Sequence, residues 1–378
     1  MQGAASRGVI ARCVVLFGLL GLFQSTLGPL IPVVRDDNRL SAATAGLLVS
    51  GFYTGSLVST AVAGTLGERW ARRYLVAVPT ALLALGSVGL AWRGAWPVPL
   101  LAAVVAGLGF GGLVLVVNTA MAGQPGGRGV ALANLVNGVF GLGAAAGPAL
   151  VGLTRDVGYQ YLFVVLAVAV LAALPPLGLG GSTHLPPAEG RARGRPVVLL
   201  LFCALLFCYA GAETGLSSWE SVHLEAHGYA TAAASALTSL FWVGLAAGRL
   251  LVPFVTAGWA PPRIVATALV ATALPLVLIG VGDLAPVGYL LAGLVLGPIF
   301  PTVMAWNAST HPDPRRSNAV IATAGMVGNV ALPAAVGYSM QATSHLALPV
   351  LVTVPVLACL VITTGLRQRH PPAARYMD

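Results

Sequence analysis

The chain has 378 residues, of which 57% are hydrophobic and only 8% are charged, and its mean hydropathy is +0.87. A composition this apolar excludes an ordinary water-soluble globular protein and indicates a chain surrounded by lipid. The formal net charge of +9 could by itself indicate a nucleic acid or another anionic partner. The positions of the charges, considered below, exclude that interpretation.

Apolar runs of about twenty residues, the length needed to cross roughly 30 Å of hydrocarbon, recur along the whole sequence. Because each backbone N–H and C=O must be paired inside a bilayer, we predict that each run is an α-helix. The 47 glycines fit this prediction, since small residues let membrane helices approach closely. The twelve predicted spans are residues 8–32, 42–66, 74–92, 97–121, 128–152, 158–180, 196–219, 230–256, 262–282, 286–309, 315–340 and 345–366.

All twenty basic residues are arginine. If the amino terminus is cytoplasmic, fifteen of them lie in cytoplasmic segments, four lie outside and Arg249 lies within a span. This asymmetry follows the positive-inside rule, so the charge reports membrane topology and no nucleic-acid partner is expected. We predict a multi-pass protein of a bacterial inner membrane with both termini in the cytoplasm. The fifteen cytoplasmic arginines are Arg7, Arg12, Arg69, Arg72, Arg73, Arg128, Arg191, Arg193, Arg195, Arg263, Arg315, Arg316, Arg367, Arg369 and Arg375.

The two halves of the sequence repeat each other at a distance of 189 residues. Gln24 corresponds to Glu213, and Asn118 corresponds to Asn307. A duplication of this length is typical of membrane transporters, in which two related bundles rock about a shared site.

A polar segment rich in glycine, proline and arginine separates the two halves. It predicts an N-terminal six-helix bundle over residues 1–180, a cytoplasmic linker over 181–195, a C-terminal six-helix bundle over 196–366 and a cytoplasmic tail over 367–378.

The loop between the second and third spans reads GTLGERWARR over residues 64–73. It resembles the G-x-L-x-D-R-x-G-R-R signature of the major facilitator superfamily, with Glu68 in place of aspartate and Ala71 in place of glycine. The resemblance extends over nearly the whole chain and implies an all-α fold of twelve helices in two pseudo-symmetric six-helix bundles. A carboxylate beside guanidinium groups can form charge-assisted contacts that latch the inward side shut. The loop residues to which this gating role is assigned are Glu68, Arg69, Arg72 and Arg73.

Two further segments are similar to different branches of that superfamily. The sequence GAAAGPALVG over residues 143–152 is similar to an element linked with antiporters, although Val151 replaces a glycine. Residues 134–143 and 209–219 look like the branch of fucose permeases and related glucose or galactose transporters. The first resemblance implies efflux and the second implies uptake of a sugar, so both interpretations stay open.

Glu213 is the leading candidate for a functional acid. An ionisable side chain is costly in hydrocarbon, so one that is retained within a span marks a functional site. Glu213 lies near mid-depth of the seventh span, where a carboxylate could bind and release a proton as its surroundings alternate between wet and dry. We assign it substrate binding and proton coupling; the alternative is an acid that braces two helices. Ala103 stands about where many proton-linked members of the superfamily carry an arginine, which argues against the common arginine-based scheme.

Other ionisable residues near the span ends receive different interpretations. Glu220 lies on the same helical face as Glu213 but near the outer end, where we interpret it as a vestibule or loop acid. His223 and His227 are interpreted as exposed loop residues, because no third ligand with metal-site spacing follows. Arg249, close to the cytoplasmic end of its span, can extend to the interface and is assigned to a gate.

Neutral polar and aromatic side chains are predicted to form the binding surface. Amides hydrogen-bond sugar hydroxyls in both directions, and aromatic rings pack against the apolar face of a sugar. Each asparagine could equally be a hydrogen bond between helices, and Asn118 is assigned to the gate. Together with Glu213, the predicted substrate-binding residues are Gln24, Tyr53, Asn137, Trp242, Trp306, Asn307 and Asn329.

The sequence therefore predicts a secondary active transporter that moves a small polar, sugar-like solute by alternating access, coupled to a proton. The alternative is a proton-driven efflux antiporter for drugs or metabolites. We expect no enzyme, no cofactor and no metal, since no catalytic dyad or metal cluster is evident at membrane depth. The expected partners are the solute, the coupling ion and the lipid bilayer, and we expect a monomer. Sodium as the coupling ion, the direction of transport and the identity of the solute stay open.

Overall fold

The computed structural model describes residues 6–66, 72–92, 94–122, 124, 128–154, 157–174 and 196–369. Over these residues the regular structure is helical throughout, and none of them is in a β-strand. Eleven helical segments are long and apolar enough to cross a bilayer. The sixth predicted span corresponds to a shorter apolar helix, Gln160–Ala172. The prediction of an all-α, multi-pass membrane protein is confirmed.

The described part of the chain contains fifteen α-helices. The eighth, ninth and tenth predicted spans each consist of two of them. In chain order they are α1 (Arg7–Asn38), α2 (Ala42–Leu66), α3 (Arg72–Ala91), α4 (Val98–Ala122), α5 (Arg128–Thr154), α6 (Gln160–Ala172), α7 (Pro196–Ala226), α8 (Thr231–Leu237), α9 (Ser239–Val255), α10 (Pro261–Ala271), α11 (Ala273–Ile279), α12 (Ala285–Leu296), α13 (Ile299–Thr310), α14 (Pro314–Ala342) and α15 (Leu348–Arg369).

Contacts between residues divide the chain into two compact units. The first comprises Met1–Pro186 and Thr231–Ser239, and the second comprises Pro187–Ala230 and Leu240–Asp378. In the first unit α1 packs along α5, α2 and α3 both pack against α4, and α8 packs against α5. In the second unit α7 packs against α14 and α15.

Close backbone contact between helices requires glycine in both units. A Cβ atom at Gly107 on α4 would lie 1.9 Å from the carbonyl oxygen of Phe52 on α2. In the second unit a Cβ atom at Gly293 on α12 would lie 2.1 Å from the carbonyl oxygen of Phe241 on α9. No carbon atom fits at that distance, so both helix pairs depend on the missing side chain. Phe52 and Phe241 are 189 residues apart and Gly107 and Gly293 are 186 apart, so a similar contact between a glycine and a phenylalanine carbonyl recurs in each half of the sequence.

The tenth span is interrupted where α12 ends at Leu296 and α13 begins at Ile299. Two prolines explain the interruption. Pro298 and Pro301 have no backbone N–H, so Pro301 cannot donate to the carbonyl of Gly297, four residues earlier. The break therefore leaves a carbonyl at membrane depth that must find another donor.

Helix α7 extends to Ala226, seven residues beyond the predicted end of the span at 219. The interpretation of Glu220 as a vestibule or loop acid and of His223 as an exposed loop residue is wrong, because both lie within α7 with 0% of their surface exposed. Hydropathy falls over these residues because they are polar, so the predicted span ended too early. Neighbouring helices bury them, and burial by other helices cannot be read from hydropathy.

Candidate functional site

The carboxylate of Glu213 lies among polar partners in the middle of α7. Its side chain is 16% exposed. The hydroxyl of Tyr209, one turn earlier on the same helical face, makes a hydrogen bond with Oε2 of Glu213. On the other side, Nη2 of Arg249 from α9 lies 3.9 Å from Oε1 of Glu213. The acid of the seventh span therefore has both a hydroxyl and a cation beside it.

Backbone carbonyls at the break of the tenth span complete this arrangement. The hydroxyl of Tyr209 lies 3.0 Å from the carbonyl oxygen of Leu296. The Nε of Arg249 donates to the carbonyl oxygen of Gly297 at 3.4 Å, which is the carbonyl that loses its helical donor to Pro301. The break in α12–α13 thus supplies acceptors for the two side chains that flank Glu213.

Tyr209 has one hydroxyl proton but two acceptors within reach. When Glu213 is ionised, its carboxylate accepts the proton of Tyr209 and attracts the guanidinium of Arg249. When Glu213 is neutral, its own O–H can donate to the oxygen of Tyr209, which then donates to the carbonyl of Leu296. The arrangement therefore offers a complete set of partners to either charge state of the carboxyl group.

In the first unit the predicted polar residues come together in two pairs. The amide Nε2 of Gln24 on α1 donates to the hydroxyl oxygen of Tyr53 on α2 at 2.8 Å. The amide Nδ2 of Asn137 on α5 donates to Oδ1 of Asn118 on α4 at 3.0 Å, and Asn137 is exposed. Asn118 and Asn137, assigned from the sequence to gating and to binding respectively, are therefore hydrogen-bonded to each other.

Asn329 and Trp242, two of the predicted binding residues in the second unit, lie on helices α14 and α9. Asn329 on α14 accepts a hydrogen bond at Oδ1 from Thr214 on α7, at 2.9 Å, one residue after Glu213. Trp242 lies on α9 seven residues before Arg249, hence on the same helical face. It is 7% exposed, and its indole Nε1 has no hydrogen-bond partner among the described residues.

The other two predicted binding residues of this unit, Trp306 and Asn307, are buried. Asn307 Nδ2 donates to Ser317 Oγ at 2.6 Å and to Asn318 Oδ1 at 2.8 Å, which joins α13 to α14. Trp306 packs edge-on against Phe202 of α7, with the ring centroids 5.1 Å apart. In this conformation both side chains connect helices of the second unit.

Most of the predicted gating loop lies outside the described residues. Glu68 and Arg69 fall in the segment 67–71, and the side chain of Arg72 is also not described. Arg73, at the start of α3, donates from Nη2 to the hydroxyl of Tyr74 at 3.0 Å. A gating role for this loop stays a prediction.

Sequence reasoning missed Tyr209 and the carbonyls of Leu296 and Gly297. The signal for Tyr209 is its position four residues before Glu213, on the same helical face. The signal for the carbonyls is the sequence GPIFP over 297–301, since a Gly/Pro-interrupted membrane helix often marks a binding site.

Comparison with known proteins identifies the family. A family model described as Major Facilitator Superfamily matches residues 13–337. The chain belongs to the Major Facilitator Superfamily. The resemblance inferred from the loop sequence is thereby confirmed, and the protein is a transporter of this superfamily.

Relatives by sequence include two bacterial proteins. The transporter is 24% identical over 357 residues to an uncharacterized MFS-type transporter of Yersinia pestis, with 91% of each chain covered. It is 30% identical over 206 residues, or 52% of each chain, to a chloramphenicol resistance protein of Streptomyces lividans.

Solved structures with this fold include three superfamily members. The nucleoside transporter NupG matches with a TM-score of 0.76 at 14% identity, covering 95% of this chain and 99% of its own. The D-xylose-proton symporter matches with a TM-score of 0.75 at 15% identity, covering 94% and 96%. FucP in the outward conformation matches with a TM-score of 0.64 at 18% identity, covering 96% and 100%. The TM-scores establish a shared fold, although the sequence identities are low.

Replacement of Tyr209 by phenylalanine tests the polar arrangement around Glu213. Tyr209→Phe keeps the ring but removes the one hydroxyl proton for which Glu213 and the carbonyl of Leu296 are the acceptors, so we expect the free energy of unfolding to fall by about 1–3 kcal/mol. Thermal unfolding of the purified transporter measures this loss. Tyr338→Phe is the matched control, because Tyr338 is 53% exposed. Equal stability of the two variants would contradict the assignment.

Proposed function

We propose that the transporter moves a small polar, sugar-like solute by alternating access and couples this movement to a proton bound at Glu213. The observation that carries the proposal is the set of contacts around Glu213. Tyr209, Arg249 and the carbonyl of Leu296 provide partners for the ionised and for the neutral carboxyl group. A side chain that is accommodated in both charge states can gain and lose a proton without losing its place in the fold.

Protonation of Glu213 changes which contacts Arg249 makes. The attraction between the two side chains exists only while Glu213 is ionised, and its loss leaves Arg249 with the carbonyl of Gly297. Glu213 belongs to α7, Arg249 to α9 and Gly297 to the junction of α12 and α13. One proton on Glu213 therefore alters the contacts that join α7, α9 and this junction. This is the kind of local charge change that biases an element with two conformations.

A proton is favoured over sodium by the charges beside Glu213. A sodium ion needs several oxygen ligands, whereas Glu213 is flanked by a hydroxyl donor and by the guanidinium of Arg249 at 3.9 Å. A cation bound to the carboxylate would lie close to that positive charge, which repels it. A proton neutralises the carboxylate without occupying space.

The class of solute is inferred from the neutral polar pairs of the first unit. Gln24 with Tyr53, and Asn118 with Asn137, present amide and hydroxyl groups that both donate and accept. Such groups match the hydroxyls of a neutral solute and require no charge on it. Two proteins of the same fold are the D-xylose-proton symporter and the nucleoside transporter NupG. A pentose and a nucleoside are both neutral solutes with hydroxyl groups, which agrees with the proposed class of solute.

Drug efflux is the second candidate function. It is favoured by the 30% identity of about half of the chain to a chloramphenicol resistance protein. A proton-driven antiporter would use the same exchange at Glu213 but would release its proton inward while the drug leaves.

Flux measurements on purified transporter in liposomes test the proposal. Radiolabelled D-xylose, L-fucose, D-glucose and uridine are offered outside, with an inward proton gradient imposed, and chloramphenicol is tested in parallel. We expect one of the neutral hydroxylated solutes to accumulate, and a protonophore to abolish its accumulation. A sodium gradient at equal pH should not drive it.

Variants identify the contribution of the polar pair in the first unit. Gln24→Leu should raise the KM for the accumulated solute about tenfold, which corresponds to about 1.4 kcal/mol. Gln341→Leu is the control, since Gln341 is an exposed amide near the end of α14. Proton-driven movement of chloramphenicol, without accumulation of any of the four neutral solutes, would contradict uptake and support efflux. Accumulation driven by sodium would contradict coupling to a proton.

A further inference from the structure

A second group of titratable side chains lies toward the C-terminal end of α7, apart from the Glu213 site. Glu220 and His223 are both 0% exposed. His223 Nδ1 lies 2.9 Å from the hydroxyl of Tyr289 on α12. The ring of His227 packs edge-on against that of His223, with the centroids 4.6 Å apart. We call Glu220, His223, His227 and Tyr289 the outer cluster.

Several polar atoms of the outer cluster are buried without a partner. Both carboxyl oxygens of Glu220, Nε2 of His223 and Nε2 of His227 make no hydrogen bond to any described residue. An ionised carboxylate buried without a partner is very costly, so this environment favours the neutral acid form of Glu220. A neutral acid buried with free oxygens is a poor structural element and a suitable proton donor and acceptor.

Glu220, His223 and His227 lie on the same face of α7 as Glu213, and Ser217, whose hydroxyl donates to the carbonyl of Thr214 at 3.3 Å, lies between them and Glu213. Ser217 follows Glu213 by four residues, Glu220 follows Ser217 by three, His223 follows by three and His227 by four. Residues three and four apart on a helix are neighbours, with Cβ atoms about 5–6 Å apart. Ser217 is buried, whereas His227, just beyond the end of the helix, is half-buried. The stripe thus leads from the middle of the span to its C-terminal end.

Other titratable groups on the helices around α7 do not pair with Glu220. Helices α12, α13, α14 and α15 and the short 3-10 helix His345–Ala347 pack against α7. Of their described side chains, Tyr289 on α12 bonds to His223. Asp283, on the 3-10 helix Gly282–Leu284 that precedes α12, is exposed. No group of three His, Cys, Asp or Glu side chains in the described part of the chain is arranged to hold a metal ion. The remaining titratable or charged groups on these elements are Tyr338, Arg316, His345, Cys359, Arg367 and Arg369.

We propose that Glu220, with His223 and Tyr289, is a second proton-binding site, and that the stripe from His227 to Glu213 carries protons between the C-terminal end of α7 and the coupling site. The route rests on the proposed function, since it assumes that Glu213 exchanges protons. In each transfer one N–H or O–H bond breaks as another forms on the next group, so only a proton moves. Under the predicted topology this end of α7 faces the outside.

Infrared spectroscopy tests whether Glu220 holds a proton and needs no solute. In membranes at neutral pH, the Glu213→Gln protein should still show the C=O stretching band of a protonated carboxylic acid, because Glu220 remains. Glu220→Gln introduced into the Glu213→Gln protein should remove this band. Asp283→Asn is the control and should leave it, since Asp283 is exposed to solvent and lies outside the outer cluster. Absence of the band in the Glu213→Gln protein would overturn the site even if Glu220→Gln did not fold.

Proton-driven uptake tests the route. With D-xylose as the probe, Glu220→Gln and Tyr289→Phe should each slow uptake driven by a pH gradient about tenfold or more, as expected when a proton-transfer group is lost. Equilibrium exchange of D-xylose without a gradient should be unchanged. A wild-type rate of driven uptake in both variants would overturn the route. If the pH gradient drives uptake of none of D-xylose, L-fucose, D-glucose and uridine into liposomes with the native protein, the proposed function fails, while the infrared result still decides the proton site.

Discussion

Glu213→Gln is expected to abolish accumulation of the solute against its gradient while leaving its exchange at equilibrium intact. Glutamine keeps the shape of the side chain and its hydrogen bonds with Tyr209, but it neither binds nor releases a proton. Accumulation ratios in liposomes with an imposed pH gradient should fall from well above one to about one, since nothing then couples the solute to the proton gradient. Counterflow without a gradient measures the retained exchange.

A double variant separates coupling from stability. Glu213→Gln alone leaves the cation of Arg249, whose side chain is 40% exposed, without its acid, and we expect this loss to be modestly destabilising. Glu213→Gln combined with Arg249→Gln should recover thermal stability relative to the single variant but should not recover accumulation. Gradient-driven accumulation at the native level in either variant would show that Glu213 is not the coupling site.

Gly143→Ala is expected to destabilise the first unit strongly. A Cβ atom at this position on α5 would lie 1.9 Å from the carbonyl oxygen of Gly18 and 3.0 Å from the backbone nitrogen of Leu22, both on α1. A side chain could change its rotamer to avoid the added Cβ atom, but backbone atoms cannot, so α1 and α5 must move apart. We expect a loss of about 1–3 kcal/mol or more, measured as a lower unfolding temperature and a lower yield of folded protein.

Gly138 provides a matched control in the same helix. A Cβ atom there would meet nothing within 4 Å. Gly138→Ala should therefore keep or slightly raise the unfolding temperature, because alanine favours a helix over glycine by about 1 kcal/mol. Equal unfolding temperatures for the two alanine variants would contradict close contact between α1 and α5.

The glycine-rich segment of the fifth span has a structural explanation. Both Gly143 and Gly147 face α1, and a Cβ atom at Gly147 would lie 2.1 Å from the hydroxyl oxygen of Ser25. The similarity of residues 143–152 to an element of antiporters therefore reflects a requirement for helix packing as well. It does not by itself decide between uptake and efflux.

The functional acid was predictable but its partners were not. Glu213 stands out because a carboxylate within an apolar span is rare and costly. Arg249 was assigned to a gate from its depth in the eighth span, while the structure places its guanidinium 3.9 Å from Glu213. Distance along a chain does not report which faces of two helices meet, so this pair required the packing of α7 and α9.

The sequence by itself determined the all-α, multi-pass architecture, the family and the position of Glu213. These follow from the cost of exposing backbone groups and charges to lipid, which depends on local composition. Only the tertiary structure decided that Glu220 and His223 are buried in a longer α7 and that the carbonyls of Leu296 and Gly297 face Tyr209 and Arg249. Burial and hydrogen bonding depend on which helices pack against a given face of α7. That packing is determined by residues far apart in the chain.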